Sequence, residues 1–154
     1  MNVKNRKISY LSLGLGISVI IGFAIFSSFK YSQKEATGVV MMNKKMYVDK
    51  IYDFGKSPNV FKYKGSRPAV VDFYADWCRP CRRVAPIMEE LSKQYAGKVD
   101  FYKVNVDLEP ELAAVHEVQS IPMVAIFSNK GNPKITMGAL NKDEYITLIE
   151  EILK

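Results

Sequence analysis

Only two cysteines occur in the chain, and they stand together in Trp77-Cys78-Arg79-Pro80-Cys81. Thiols at this spacing can exchange with a partner's disulfide: one thiolate attacks, a mixed disulfide forms, and the second thiol resolves it. The preceding run, Ala69 to Ala75 (AVVDFYA), is nearly continuously apolar, as in a strand buried on both faces. After Cys78, the residues Val84, Ile87, Met88, Leu91 and Tyr95 recur at helical spacing as far as Gly97. The pair therefore stands where a buried strand gives way to an amphipathic helix. Backbone N–H groups at a helix N-terminus favour an anion, so a thiolate at Cys78 should form readily. Cys81 falls on the first helical turn, within reach of a mixed disulfide at Cys78. Two other uses of the pair fit less well. A structural zinc site wants four ligands, and beyond the cysteines there is only the distant His116. A structural disulfide closing so small a loop removes little entropy from the unfolded chain.

Asp72 interrupts the apolar strand, where an unpaired carboxylate is costly. If buried, its pKa rises by desolvation, and it could accept the Cys81 proton through a water. The alternatives are a solvent-open strand end or simple pairing with Lys103. Ile121-Pro122 opens another strand; taken alone, these residues read as an ordinary trans proline at a strand edge, with a cis bond the other option. His116 reads as surface on a polar helix. Arg82 and Arg83 read as a solvated helix face that adds to the positive field near Cys78, and Glu109, Glu111 and Glu117 as surface charge.

The elements that must position these groups can be traced along the chain. Val39–Met42 could form a first strand. Asn43 is a candidate cap for a helix to Phe54, with Tyr47, Ile51 and Phe54 on one face. Turns follow at Gly55-Lys56-Ser57-Pro58 and Gly65-Ser66-Arg67-Pro68, and Val60–Tyr63 between them has no clear assignment. Val99–Val106 is β-branched and aromatic, hence a strand. A short helix is expected over Glu109–Val118, with Pro110 in its first turn. Met123–Phe127 and Ile135–Met137 flank Asn129-Lys130-Gly131-Asn132, a hairpin signal. Asn141 with Glu144 opens a last helix carrying Tyr145, Leu148, Ile149 and Ile152 on one face. The order β-α-β-α-β-α-β-β-α predicts an α/β fold with a central mixed β-sheet flanked by helices.

The chain has 154 residues, 48% of them apolar and 25% charged, which suits one globular domain with something added. The net charge of +6 is unevenly spread. Residues 1–64 hold 11 Lys/Arg against 3 Asp/Glu, and residues 65–154 hold 11 against 13. A slightly acidic folded part speaks against nucleic acid as a partner; the basic excess suits a membrane-proximal segment. Lys4, Arg6 and Lys7 precede an uncharged stretch of 22 residues, Ile8 to Phe29. That is long enough for a spanning helix and longer than a signal-peptide core of ~7–15 residues. Residues 1–29 are accordingly expected to be a signal-anchor or transmembrane segment, residues 30–38 a polar tether, and residues 39–154 the catalytic domain. A cleaved signal peptide is the alternative. In either case the positive flank stays inside and the domain is exported.

In the segments VDFYADWCRPC (71–81), VAPIMEEL (84–91), KVNVD (103–107), SIPM (120–123) and GAL (138–140), the sequence resembles thioredoxin. The resemblance runs from about Ala69 to Lys154, with a looser match back to Val39. It implies a thioredoxin-like fold with Cys78 as attacking thiol, Cys81 as resolving thiol, and Asp72 as a buried carboxylate with Lys103 near it. It implies a cis bond at Pro122, against the reading of those residues alone. It also implies a substrate groove lined by Trp77, Ile121, Pro122 and Gly138, beside the intervening Arg79 and Pro80, and a bend of the long helix at Pro86. Three residues depart from the family's pattern. Tyr74 stands where Trp is common, Met123 follows the proline where Thr is usual, and Arg79 replaces Gly between the cysteines. The cation at Arg79 should favour the thiolate and make the dithiol somewhat more oxidising.

The resulting expectation is a membrane-anchored, extracytoplasmic protein-disulfide reductase. It needs neither cofactor nor metal, because the dithiol itself carries the electrons. Its partners would be disulfide-containing proteins, a transmembrane thiol electron donor, and lipid around the anchor. An exported oxidase or isomerase is the rival within the same chemistry; a non-catalytic adaptor of the same fold is the rival outside it.

Overall fold

A computed structural model describes residues 38–57 and 60–154. Its elements run β1 (Val40–Met41), α1 (Lys44–Lys50), β2 (Ala69–Tyr74), α2 (Cys81–Gln94), β3 (Asp100–Asn105), α3 (Pro110–Val115), β4 (Met123–Phe127), β5 (Lys134–Met137) and α4 (Lys142–Leu153). They form one mixed sheet in the order β1-β3-β2-β4-β5. β1 and β2 each pair parallel with β3, and β4 pairs antiparallel with β2 and β5. The expected transmembrane stretch and most of the tether lie outside the described residues. Among the described residues, no helix is long and apolar enough to cross a membrane.

Period-two alternation assigns the strand side chains to two faces. Val71 and Phe73 of β2 join Val104, Ala125 and Phe127 in a core that α1 closes with Tyr47 and Ile51 and α3 closes with Leu112. Val70 faces the other way, with Phe101, Val124 and Ile126, against Val84, Met88 and Leu91 of α2 and Tyr145 and Ile149 of α4. Asp72 and Lys103 share parity with Val70 and Phe101, so both belong to the α2 side. β2 is the central strand, and its first five residues are buried.

The caps are as the sequence predicts. Asn43 accepts from the N–H of Met46 to open α1, and Asn141 and Glu144 form a reciprocal capping box on α4. Two helices are shorter than expected. α1 stops at Lys50, and the Ile51 carbonyl instead receives the N–H of Lys64. That turn lays Tyr52 against Phe61 (ring centroids 5.1 Å apart), and Phe61 in turn lies 5.8 Å from Phe127. The unassigned Val60–Tyr63 segment is thus a loop held by aromatic packing. α3 ends at Val115, and the chain reverses through Glu117 at φ 49°.

The reading of His116 as plain surface is corrected. At the C-cap of α3, four residues after the buried Leu112 and so on the same face, His116 shares a 2.5 Å hydrogen bond between Nε2 and the hydroxyl of Tyr47. Its ring packs edge-on against Tyr47 and Phe127 and lies 5.1 Å from Phe73. Burial holds it down to about 4, from the ordinary 6.5. Glu111 and Glu117 are surface charge, as expected, while Glu109 is half-buried. Glu109 accepts from the backbone N–H of Lys44, and Glu111 pairs with the Lys44 ammonium at 2.6 Å, tying α3 to the start of α1.

Candidate active site

The cysteines lie at the C-terminal end of β2, where the strand passes into α2. Cys78 and Cys81 are joined as a disulfide, with their Cα atoms 5.4 Å apart. Pro80 caps α2 with helical backbone angles, which places Cys81 at the first helical position. The N–H of Cys81 donates to the sulfur of Cys78 at 3.2 Å. This donor, with the helix N-terminus behind it, stabilises negative charge on Cys78 once the disulfide opens. Both cysteines are almost fully covered, at 2% and 3% exposure, by Ala75, Tyr74, Val106 and Ile121. A partner's sulfur therefore has only a small exposed area through which to reach the pair.

Behind Cys81 a pocket of about 290 Å³ is lined by Asp72, Lys103, Ala85, Met88 and Glu89. Asp72 is only 4% exposed, and its Oδ1 has no hydrogen-bond partner. Burial raises its pKa from 3.8 to about 7, against the pull of the Lys103 charge. Lys103 stands opposite Asp72 in the β2–β3 register, and its ammonium lies 5.8 Å from the centroid of the Tyr74 ring. Of the alternatives in the sequence, the structure selects burial without pairing. A carboxyl that titrates near neutrality and shares a pocket with Cys81 can take up and return that thiol's proton.

The outer rim has three parts. Trp77 is 68% exposed, and its indole N–H donates to Asp107 at 2.9 Å. The Ile121–Pro122 bond is cis, as the resemblance implies and the residues alone did not. Gly138 donates its N–H to the Pro122 carbonyl at 2.8 Å, holding β5 to this loop. Its φ of +85° favours glycine, and the space where a Cβ would stand is open. Arg79 is exposed between the cysteines and Pro80 is half-buried. Among the described residues, no cluster of three His, Cys, Asp or Glu is placed to hold a metal.

Two residues of this site escaped the sequence reading. Asn105 is buried at the end of β3, where it accepts from the N–H of Asp107 at 3.0 Å and donates to Asp76 at 3.3 Å. It fixes the loop that presents Asp107, and Asp107 in turn orients Trp77. The available signal was a lone amide ending an apolar strand, two positions before an aspartate.

Residues 57–151 match the family model for thioredoxin. The chain belongs to the thioredoxin family. A thioredoxin from Borreliella burgdorferi is 37% identical over 112 residues, which cover 73% of this chain and 95% of that protein. The chloroplastic M-type thioredoxin of Zea mays is 42% identical over 86 residues, 56% of this chain and about half (52%) of that protein. Among solved structures, a thioredoxin variant from Halobacterium salinarum superposes with a TM-score of 0.61 at 25% identity, covering 77% of this chain and 93% of that one. The thioredoxin of Malassezia sympodialis shares the fold with a TM-score of 0.62 at 24% identity, covering 78% of this chain and 95% of that one. Thioredoxins act on disulfide-containing proteins through a redox-active disulfide and dithiol, without a cofactor, and the Cys78–Cys81 pair fits that chemistry. The chain is accordingly a protein-disulfide oxidoreductase.

Proposed function

We propose that this thioredoxin works as a reductase, tethered to a membrane by residues 1–29 and carrying its catalytic domain, residues 39–154, on the extracytoplasmic side of a short tether (30–38). The observation that carries the chemistry is the placement of the buried, unpaired Asp72 in one pocket with Cys81. The Cys78 thiolate attacks a substrate disulfide; that S–S bond breaks, a mixed disulfide forms, and one substrate thiolate leaves. Asp72 accepts the proton of Cys81 through water, with the nearby Lys103 favouring its anionic form. The Cys81 thiolate then attacks the Cys78 sulfur, closing the Cys78–Cys81 bond and releasing the second substrate thiolate. The substrate takes two electrons, and protons from solvent complete its thiols. Trp77, Arg79, Pro80, Ile121, Pro122 and Gly138 contact the substrate around the reacting sulfur.

Pro80 before the second cysteine and the Ile121-Pro122 pairing support the reducing direction over an exported oxidase or isomerase. Arg79 supports the reverse, since a cation beside Cys78 stabilises the reduced form. Equilibration of the protein against glutathione decides between them. A potential near the thioredoxin value of about −270 mV supports the reductase, and one in the range of about −180 to −120 mV makes it an isomerase or oxidase. The uncharged stretch Ile8–Phe29 behind Lys4, Arg6 and Lys7 supports the anchor. Protease added to intact cells, or to spheroplasts where an outer membrane intervenes, should digest residues 39–154. A domain protected until the inner membrane is lysed would reverse the topology. On the outside, fresh electrons must come from a transmembrane thiol donor. A strain lacking such donors that still holds Cys78 and Cys81 reduced would remove that partner.

A further inference from the structure

Three arginines adjoin the reacting disulfide in the chain: Arg79 between the cysteines, and Arg82 and Arg83 on the first turn of α2. All three are exposed, and none forms an ion pair among the described residues. This arrangement does nothing for the helix. That turn holds no acidic residue, and cations at a helix N-terminus oppose the macrodipole. Arg82 and Arg83 also have no carboxylate three or four positions away on the helix to offset them. The acids at this end of the molecule have other contacts. Asp76 accepts from Asn105, Asp107 holds the Trp77 indole, and Glu90 pairs with Lys142 at 2.7 Å. Glu89 lines the pocket beside Arg82 without pairing to it. The guanidiniums thus retain donors for an incoming carboxylate, the group their planar fork fits best.

We propose that Arg79, Arg82 and Arg83 select protein substrates carrying Asp or Glu within a few residues of the target disulfide. A substrate whose sulfur reaches Cys78 brings the residues flanking that sulfur into the short-range field of these exposed charges, one of them between the cysteines and two on the turn that follows. That position points to an acidic polypeptide segment as the occupant. The inference rests on disulfide exchange at Cys78 but not on its net direction.

The test is the rate of exchange between the reduced full-length protein and three disulfide peptides of one framework, flanked by Asp, Asn or Lys. At low salt the Asp peptide should react about five- to tenfold faster than the Lys peptide, with Asn between them, and high salt should compress the series. R82Q/R83Q should compress it too. A K98Q/K130Q protein, which loses the same charge at exposed sites away from the cysteines, should not. Equal rates for the three peptides, or equal compression by both double variants, would overturn the proposal. Should R82Q/R83Q fail to fold, the salt dependence of the unaltered protein decides. Exchange with none of the peptides would instead sink the reading of Cys78 as the reacting thiol, and the proposal with it.

Discussion

At the scale of single residues, the two thiols and the carboxyl behind them have separable roles. Cys81→Ser should leave attack at Cys78 intact and block resolution, so mixed disulfides should accumulate and appear on non-reducing gels. Cys78→Ser should yield none; an adaptor of the same fold would bind its partners unchanged in both variants. Asp72→Asn tests the proton step. Resolution of a pre-formed mixed disulfide should slow about tenfold or more near pH 7. Its pH–rate profile should also lose the inflection near pH 7 that a carboxyl titrating at about that value supplies. An unchanged profile would remove Asp72 from proton transfer. Arg79→Gly should lower the potential by no more than about 20 mV, since an exposed cation is screened by solvent. Glutathione equilibration of both proteins side by side measures that difference.

At the scale of elements, the site is a junction of one strand end, one helix start and two loops, and its parts were unequally legible in the sequence. β2, α2 and the cysteines could be read because a doubly buried strand and a helical stripe both leave local patterns, and Asp72 showed itself as the single break in the first of them. Gly138 and the cis bond at Pro122 entered only through the family resemblance, because local sequence does not report which loops meet. Asn105 was missed because its work is done on the chain after it, in the turn that carries Asp107. His116 was misread because it falls four residues after the buried Leu112, on the face of α3 turned to the core, and the polar residues around it hid that position. Asn105→Ala tests the loop's part in the site. Losing two side-chain hydrogen bonds at a buried position should cost about 1–3 kcal/mol in denaturant unfolding. The released Asp107 should also change the emission of Trp77, the only tryptophan. A stability loss with unchanged emission would mean that Asn105 supports the fold without positioning the indole.

On the scale of the whole molecule, two shifted titrations, of the buried Asp72 and the half-buried His116, work against each other from opposite faces of the sheet. Asp72, on the α2 face, has its folded pKa raised from 3.8 to about 7. The unfolded chain loses this proton first, so stability falls as pH rises from about 4 to about 7, and the whole penalty persists above that range. His116, on the α1 face, has its folded pKa lowered from 6.5 to about 4. The unfolded chain gains that proton first, so stability falls as pH drops from about 6.5 to about 4. Each shift corresponds to roughly 2–4 kcal/mol, and over the shared window the slopes have opposite sign. The unaltered protein should therefore show a nearly flat urea midpoint between about pH 4 and 6.5. Asp72→Asn removes one side of the balance. The variant should be more stable than the parent above pH 7 by roughly 2–4 kcal/mol, and its stability should now climb with pH through the range that was flat. A flat Asp72→Asn curve would mean that His116 titrates normally when folded, and that its contact with Tyr47 does not depend on the neutral ring.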